Sequence, residues 1–237
     1  RSFPFLRSLE VALGLATRSH GDEYGMEITW FGGGCFRLRG RGVTVITDPF
    51  APEAGYRLPR MAANIVTVSH DDPEHNYTRA IREDPYMITG PGEYEIGGVF
   101  VIGVACYHDE VEGAERGRNT AYLIECEDIT ICHLGDLGHV PSQEMVEEFD
   151  GIDILLVPVG GKQVLTGPRA AEVVNLLEPR IVIPMRYRIP DMDRELSTVT
   201  RFLTEMEAQD AAQEEMLRIT ASQLGEDTRV CVLAPKR

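Results

Sequence analysis

Ile65-Val66-Thr67-Val68-Ser69-His70-Asp71-Asp72-Pro73-Glu74-His75 is the stretch on which the reading of this chain turns. Its first four residues have the length and β-branched content of a buried strand. The seven that follow put two imidazoles and three carboxylates into a Pro-containing loop. A rigid strand that ends in such a loop is a common way to present metal ligands. The plainer reading of Asp71 and Asp72 is that they cap an acidic turn, because their side chains accept from nearby backbone N–H groups.

Upstream, Met26 to Phe31 reads as a strand, Gly32-Gly33-Gly34 as a tight loop and Cys35 to Arg39 as a second strand. A third runs from Val43 to Thr47 and stops at Asp48-Pro49. Short turns between them predict an antiparallel meander. Downstream, short strands are expected at 86–88, 93–96 and 99–102, then a hairpin from Thr120 to Glu125 and Ile129 to His133. The second half alternates helices (142–149, 168–177, 194–209) with apolar strands (154–159, 181–185, 229–233). Hairpins early and βα alternation late predict two sheets packed together with helices outside. Nothing linker-like divides the chain, so residues 26–237 are expected to form a single domain behind a leader segment over residues 1–25.

The composition is that of a soluble globular protein, with 43% apolar and 26% charged residues. No apolar run reaches the roughly 20 residues of a membrane-spanning helix, and the N-terminal Phe3-Pro4-Phe5-Leu6 is too short for a signal peptide. A net charge of −15 disfavours a nucleic-acid partner held by electrostatics. The odd count of five cysteines, most of them within apolar strands, suits buried thiols in a reducing, cytoplasmic setting.

Four features line up along the chain: the His70–His75 loop, His108 after a strand, His133-Leu134-Gly135-Asp136, and Ile183-Pro184-Met185-Arg186-Tyr187. Together with Thr29-Trp30-Phe31-Gly32, Thr47-Asp48-Pro49-Phe50 and Gly90-Pro91-Gly92-Glu93-Tyr94, this order resembles the metallo-β-lactamase superfamily. Within it, the resemblance is to bacterial Zn-dependent hydrolases related to the ascorbate-6-phosphate lactonases. It implies an α/β, four-layer αββα sandwich with a metal site at one edge between the sheets. It also implies metal-ligand positions at His70, Asp72, Glu74, His75, His108 and Asp136. Asp72 stands where the family has a second His, Glu74 where it has Asp, and Arg186 where it has a last His. Gly33 occupies a place where related chains often carry a His.

A guanidinium stays protonated and has no lone pair to give a metal. Arg186 is therefore expected to pair with Glu74 or Asp136 and to exclude a second ion, leaving one Zn, Mn or Fe ion, or none. No Gly-x-Ser-x-Gly elbow or Cys–His pair offers a nucleophile that works without metal. Two functions follow from the resemblance. In the first, the dinuclear centre is degenerate, the chain is silent or feeble, and it acts by binding a partner or by assembly, as a homo-oligomer. In the alternative, it is a mononuclear hydrolase of a lactone, ester or phosphoester. His70, Asp72 and His108 would then hold the ion, while Asp136 serves the water and Arg186 an anionic substrate. A metal-dependent nuclease is a third possibility that the acidic chain disfavours.

Overall fold

The structure, a computed structural model, describes residues 25–55, 57–190 and 195–237. The expected leader lies outside these residues apart from Gly25. The first half supplies β1 (Met26–Gly32), β2 (Cys35–Arg39), β3 (Thr44–Thr47), β4 (Met61–Ala62), β5 (Ile65–Thr67), β6 (Ile81–Arg82) and β7 (Tyr86–Ile88). It continues with β8 (Gly92–Ile96), β9 (Val99–Tyr107), β10 (Arg118–Cys126) and β11 (Ile129–His133). The second half adds α1 (Gln143–Glu148), β12 (Ile154–Pro158), α2 (Gly167–Leu177), β13 (Ile181–Met185) and α3 (Thr200–Glu205). The chain closes with β14 (Gln213–Glu214), β15 (Leu217–Ile219), β16 (Arg229–Val230) and β17 (Val232–Leu233).

Two mixed sheets form the body, one ordered β15-β1-β2-β3-β5-β7 and the other β16-β13-β12-β11-β10-β9-β8. The meander is antiparallel through β1, β2 and β3, and β5 then pairs parallel to β3. In the second sheet β9, β10 and β11 are antiparallel neighbours, whereas β12 and β13 continue parallel to β11. Residues on both inner faces share one core that includes Trp30, Phe36, Leu38, Tyr122 and Leu155. Each such apolar side chain, taken fully out of water, contributes about 1.5–3 kcal/mol.

Polar pins also join the sheets. The Tyr122 hydroxyl on β10 donates to the Val68 carbonyl at 2.7 Å, just beyond β5. His133, at the end of β11, reaches the carbonyl of Gly34 in the β1–β2 turn at 2.8 Å. All five cysteines are free and buried. Among the described residues no helix is long and apolar enough to cross a membrane.

The helix expected over 194–209 is shorter, with α3 covering only Thr200–Glu205. Ser197 donates its N–H to the Gly160 carbonyl and accepts from the N–H of Arg188, which ties that segment to the loops after β12 and β13. At the other end Glu207 takes a left-handed φ of 52° and stops the helix. The closing strand expected at 229–233 divides at Cys231, β16 pairing with β13 and β17 with β14. Strand β15, which borders β1, was not expected. It is three residues long, and its middle residue, Arg218, gives it no continuous apolar run.

Candidate metal centre

The pairing directions bring five strand ends together. Because β9 and β11 are both antiparallel to β10, they run the same way, and β13 follows them through parallel pairings. Their C-terminal ends carry His108, Asp136 and Arg186 to one edge of that sheet. On the facing sheet, parallel β3 and β5 deliver Asp48 and the His70–His75 loop. Two of these strand ends hold non-glycine residues in left-handed backbone, Asp48 at φ 38° and Arg186 at φ 53°. Such backbone costs of order 1–3 kcal/mol and persists where surrounding contacts impose it.

Asp48 has no exposed surface, and its carboxylate organises the loop. Oδ1 accepts the Ser69 N–H at 2.8 Å, while Oδ2 accepts the Ser69 hydroxyl at 2.7 Å and faces His75 Nδ1 at 2.8 Å. His75 therefore carries its proton on Nδ1 and turns Nε2 toward Asp136, 3.2 Å from Oδ2. Since the Ser69 hydroxyl donates to Asp48, it accepts from His70 Nδ1 at 3.0 Å, and His70 likewise keeps Nε2 for the cleft. A carboxylate or hydroxyl that fixes the tautomer of a histidine in this way is what metal-ligating histidines usually have behind them. Gly34 must be small here, because a Cβ would lie 3.0 Å from Asp48 Oδ2.

Asp136 is equally enclosed. Its N–H donates to the Asn119 side-chain oxygen at 3.0 Å, and the Asn119 amide in turn donates to the Leu134 carbonyl at 2.9 Å. Asp136 Oδ2 contacts Arg186 Nη2, and His108 Nε2 stands 3.4 Å away. Arg186 Nη1 donates to Glu74 Oε2 at 3.0 Å. Behind His108, the Asp109 carboxylate accepts the N–H groups of Val111, Gly113, Glu115 and Arg116 and folds the 109–116 loop on itself.

The charges follow from this packing. Burial raises the Asp136 carboxyl, but Arg186 and His75 outweigh it and hold it well below the usual carboxylate range. Burial lowers His75, yet Asp136 and Asp48 on either side lift it to about 9, so at pH 7 it holds a second proton on Nε2 toward Asp136 that a metal ion would displace. His70, half-buried and beside His75, falls to about 4, first through partial burial, and stays neutral at pH 7. His108 is lowered too, first by burial.

His70, Asp72, Glu74, His75, His108, Asp136 and Arg186 all line one cleft of about 360 Å³. Their side chains do not all converge within it. Ligand atoms of His70, His75 and Asp136 lie within 4.8 Å of one another, and the His70 and His108 rings are 5.0 Å apart. Asp72 Oδ1 accepts the Glu74 N–H at 2.8 Å, in the acidic-turn role weighed for this loop. The mononuclear set expected from the sequence had Asp72 with His70 and His108, whereas the compact cluster has His75 and Asp136 with His70.

Three buried atoms around Asp136 have no hydrogen-bond partner, namely His75 Nε2, His108 Nε2 and Asp136 Oδ1. Leaving such groups unsatisfied costs about 1–3 kcal/mol each. Imidazole nitrogens beside a carboxylate oxygen form a donor set suited to zinc or a similar first-row dication. The residues present fit one ion. Sequence reading did not single out Asp48, Ser69 or Asn119. Asp48 was legible only as the end of a strand before Pro49, and its link to His75 spans residues far apart in the chain.

Two mixed sheets that present a His and Asp cluster at a shared edge define the metallo-β-lactamase class of fold. The chain belongs to the β-lactamase superfamily, whose domain model matches residues 27–186. A UPF0173 metal-dependent hydrolase of Pyrococcus horikoshii is 30% identical over 183 residues, covering 75% of this chain and 67% of that protein. A candidate Zn-dependent hydrolase of the metallo-β-lactamase superfamily from Thermotoga maritima, known from its crystal structure, is 34% identical with a TM-score of 0.72. That likeness covers 88% of this chain and 98% of the other. A candidate metal-dependent hydrolase from Parabacteroides distasonis shares the fold, with a TM-score of 0.61 at 17% identity.

Proposed function

We propose that this protein is a metal-dependent hydrolase that works with one divalent ion, held by His70, His75 and Asp136 with His108 beside them. The single observation that carries this reading is that buried His75 Nε2, His108 Nε2 and Asp136 Oδ1 make no well-formed hydrogen bond, while both imidazole nitrogens stand 3.2 and 3.4 Å from Asp136 Oδ2. The relatives described as metal-dependent hydrolases support the same reading. When bound, a divalent ion acidifies water and polarises a carbonyl or phosphoryl oxygen.

The chain's own residues divide the remaining work. Asp48 and Ser69 hold the two imidazoles in their ligating tautomers. Arg186, only 2% exposed, supplies permanent positive charge where negative charge develops in hydrolysis of an ester, lactone or phosphoester. His108, lowered below its usual value first by burial and 9% exposed, holds a bare Nε2 at the cleft and is placed to accept a proton as general base.

A second reading has its own support. The Arg186–Asp136 contact balances the Asp136 charge without any metal. It favours a silent site that acts through binding. Elemental mass spectrometry on tag-free protein, grown with Zn, Mn and Fe, separates the two. The hydrolase reading expects near one ion per chain, removable by chelator with loss of thermal stability. Metal at background level, with stability indifferent to chelator, would sink it in favour of the silent site.

A further inference from the structure

The Arg186 guanidinium spans the wall of the cleft. One nitrogen, Nη2, meets Asp136, whose side chain is 1% exposed, while Nη1 meets Glu74, whose side chain is 33% exposed. The two carboxylates therefore differ in what holds them. Asp136 is fixed by Asn119 and enclosed by His75 and His108. Glu74 sits in the turn that begins at Asp72, on the open side of the cleft, with its carboxylate reaching inward to the arginine. Arg186 Nε, also buried, has no hydrogen-bond partner, so the guanidinium has donor capacity left over. A Cβ on Gly33 would come no nearer than 4.0 Å to Nη1, so that flank is not tightly closed.

We infer that Glu74 is a tethered counter-ion, and that the substrate carries a small oxyanion, carboxylate or phosphate, which displaces Glu74 from Arg186. This deepens the hydrolase reading and rests on it for the reaction, but the anion site itself rests on Arg186. A buried guanidinium cannot shed its proton and is costly to leave unpaired, so some anion must face Nη1 at all times. A half-buried glutamate does this in the resting protein and can swing to water when a better-placed oxyanion arrives. An incoming planar or tetrahedral oxyanion also matches the forked donors of arginine. The oxyanion would then lie beside the His70, His75 and Asp136 cluster, which places the scissile bond within a few bonds of the charged group. Exchange of one anion for another preserves the net charge of the cleft.

The experiment measures calorimetric affinities of the full chain, as purified, for inorganic phosphate and for acetate. Arms are the parent, Glu74→Gln, Arg186→Met and the double variant, each with its metal content counted. Glu74→Gln removes the competing charge at nearly constant shape. It is expected to tighten one of the two anions by about tenfold, a change worth ~1.4 kcal/mol, with metal content unchanged. Whichever anion gains identifies the group on the substrate. The gain should vanish in the double variant, and Arg186→Gln takes over that arm if Arg186→Met does not fold. Unchanged or weaker binding of both anions by Glu74→Gln overturns the inference. So does a loss of metal in that variant, which would make Glu74 a ligand. A parent without metal whose Glu74→Gln form still gains affinity would defeat the hydrolase reading and leave the anion site standing.

Discussion

Two histidines in this sandwich, His75 and His133, are equally inaccessible to solvent yet are used in opposite ways. His133 spends both ring nitrogens on main chain, with Nε2 donating to the Gly34 carbonyl and Nδ1 accepting the Gly135 N–H at 3.2 Å. His75 spends Nδ1 on Asp48 and turns Nε2 to the Asp136 carboxylate at 3.2 Å, an ion pair without good hydrogen-bond geometry. Burial lowers the first and keeps it neutral, despite the pull of Asp48, whereas carboxylates on both sides raise the second. Burial alone therefore does not separate a packing histidine from a ligand. What separates them is whether the second nitrogen is tied to main chain or turned to a carboxylate in the cleft.

The sharpest way to break that contrast is His75→Ala. It should reduce bound metal to background and leave Asp48 without its buried partner, at a cost of about 3–5 kcal/mol. Chemical denaturation and elemental analysis measure both effects, and retained metal would remove His75 from the ligand set. Asp48→Asn tests the support rather than the ligand. The histidine remains but loses its carboxylate, and metal affinity should fall roughly 10–100-fold in a competition assay with a chromophoric chelator. An unchanged affinity would mean that the tautomer of His75 is set elsewhere.

His133→Gln should do the reverse, keeping the metal and losing about 1–3 kcal/mol of stability from the broken sheet-to-sheet link. It should also flatten the acid side of the stability curve. The folded value of His133 is depressed, so the unfolded chain takes up its proton first. Its stabilising contribution is complete above pH ~6.5 and is lost as pH falls below that toward the folded value. Denaturant midpoints measured between pH 7.5 and 5 should thus slope less in the variant than in the parent. Equal slopes would assign the acid sensitivity to other groups. The smallest effect is expected from Asp72→Asn, which can still accept the Glu74 N–H. Its metal content should match the parent, and a clear loss would restore Asp72 as a ligand.

The strands that frame the site were legible because their apolar, β-branched runs end abruptly at Ser69, Asp136 and Arg186. Their order in the sheets followed from resemblance and hairpin spacing rather than from periodicity. What escaped was everything that depends on contacts between distant segments. Asp48 and His75 are 27 residues apart, and Asn119 and Asp136 are 17 apart. No local pattern distinguishes an aspartate that starts a loop from one that turns inward under it. The local partner of Asp72 was not legible either. The position of Asp72 matches a ligand slot, while its Oδ1 also accepts the Glu74 N–H within its own turn. Strand β15 went unseen because an edge strand of three residues gains its stability from β1 rather than from its own composition.

The Asp109 knot has a practical consequence. One carboxylate gathers four main-chain N–H groups from a single loop, so the path of residues 109–116 is set by the backbone and by Asp109. Glu112, Ala114, Glu115 and Arg116 are exposed on this frame. Ala114, Glu115 and Arg116 can be exchanged as a cassette without dislodging the histidine that precedes it, whereas Glu112 holds a left-handed φ of 55° that bulky side chains resist. A library randomised at Ala114, Glu115 and Arg116, with Asp109, Glu112 and Gly113 kept, would vary the charge around His108 on a fixed scaffold.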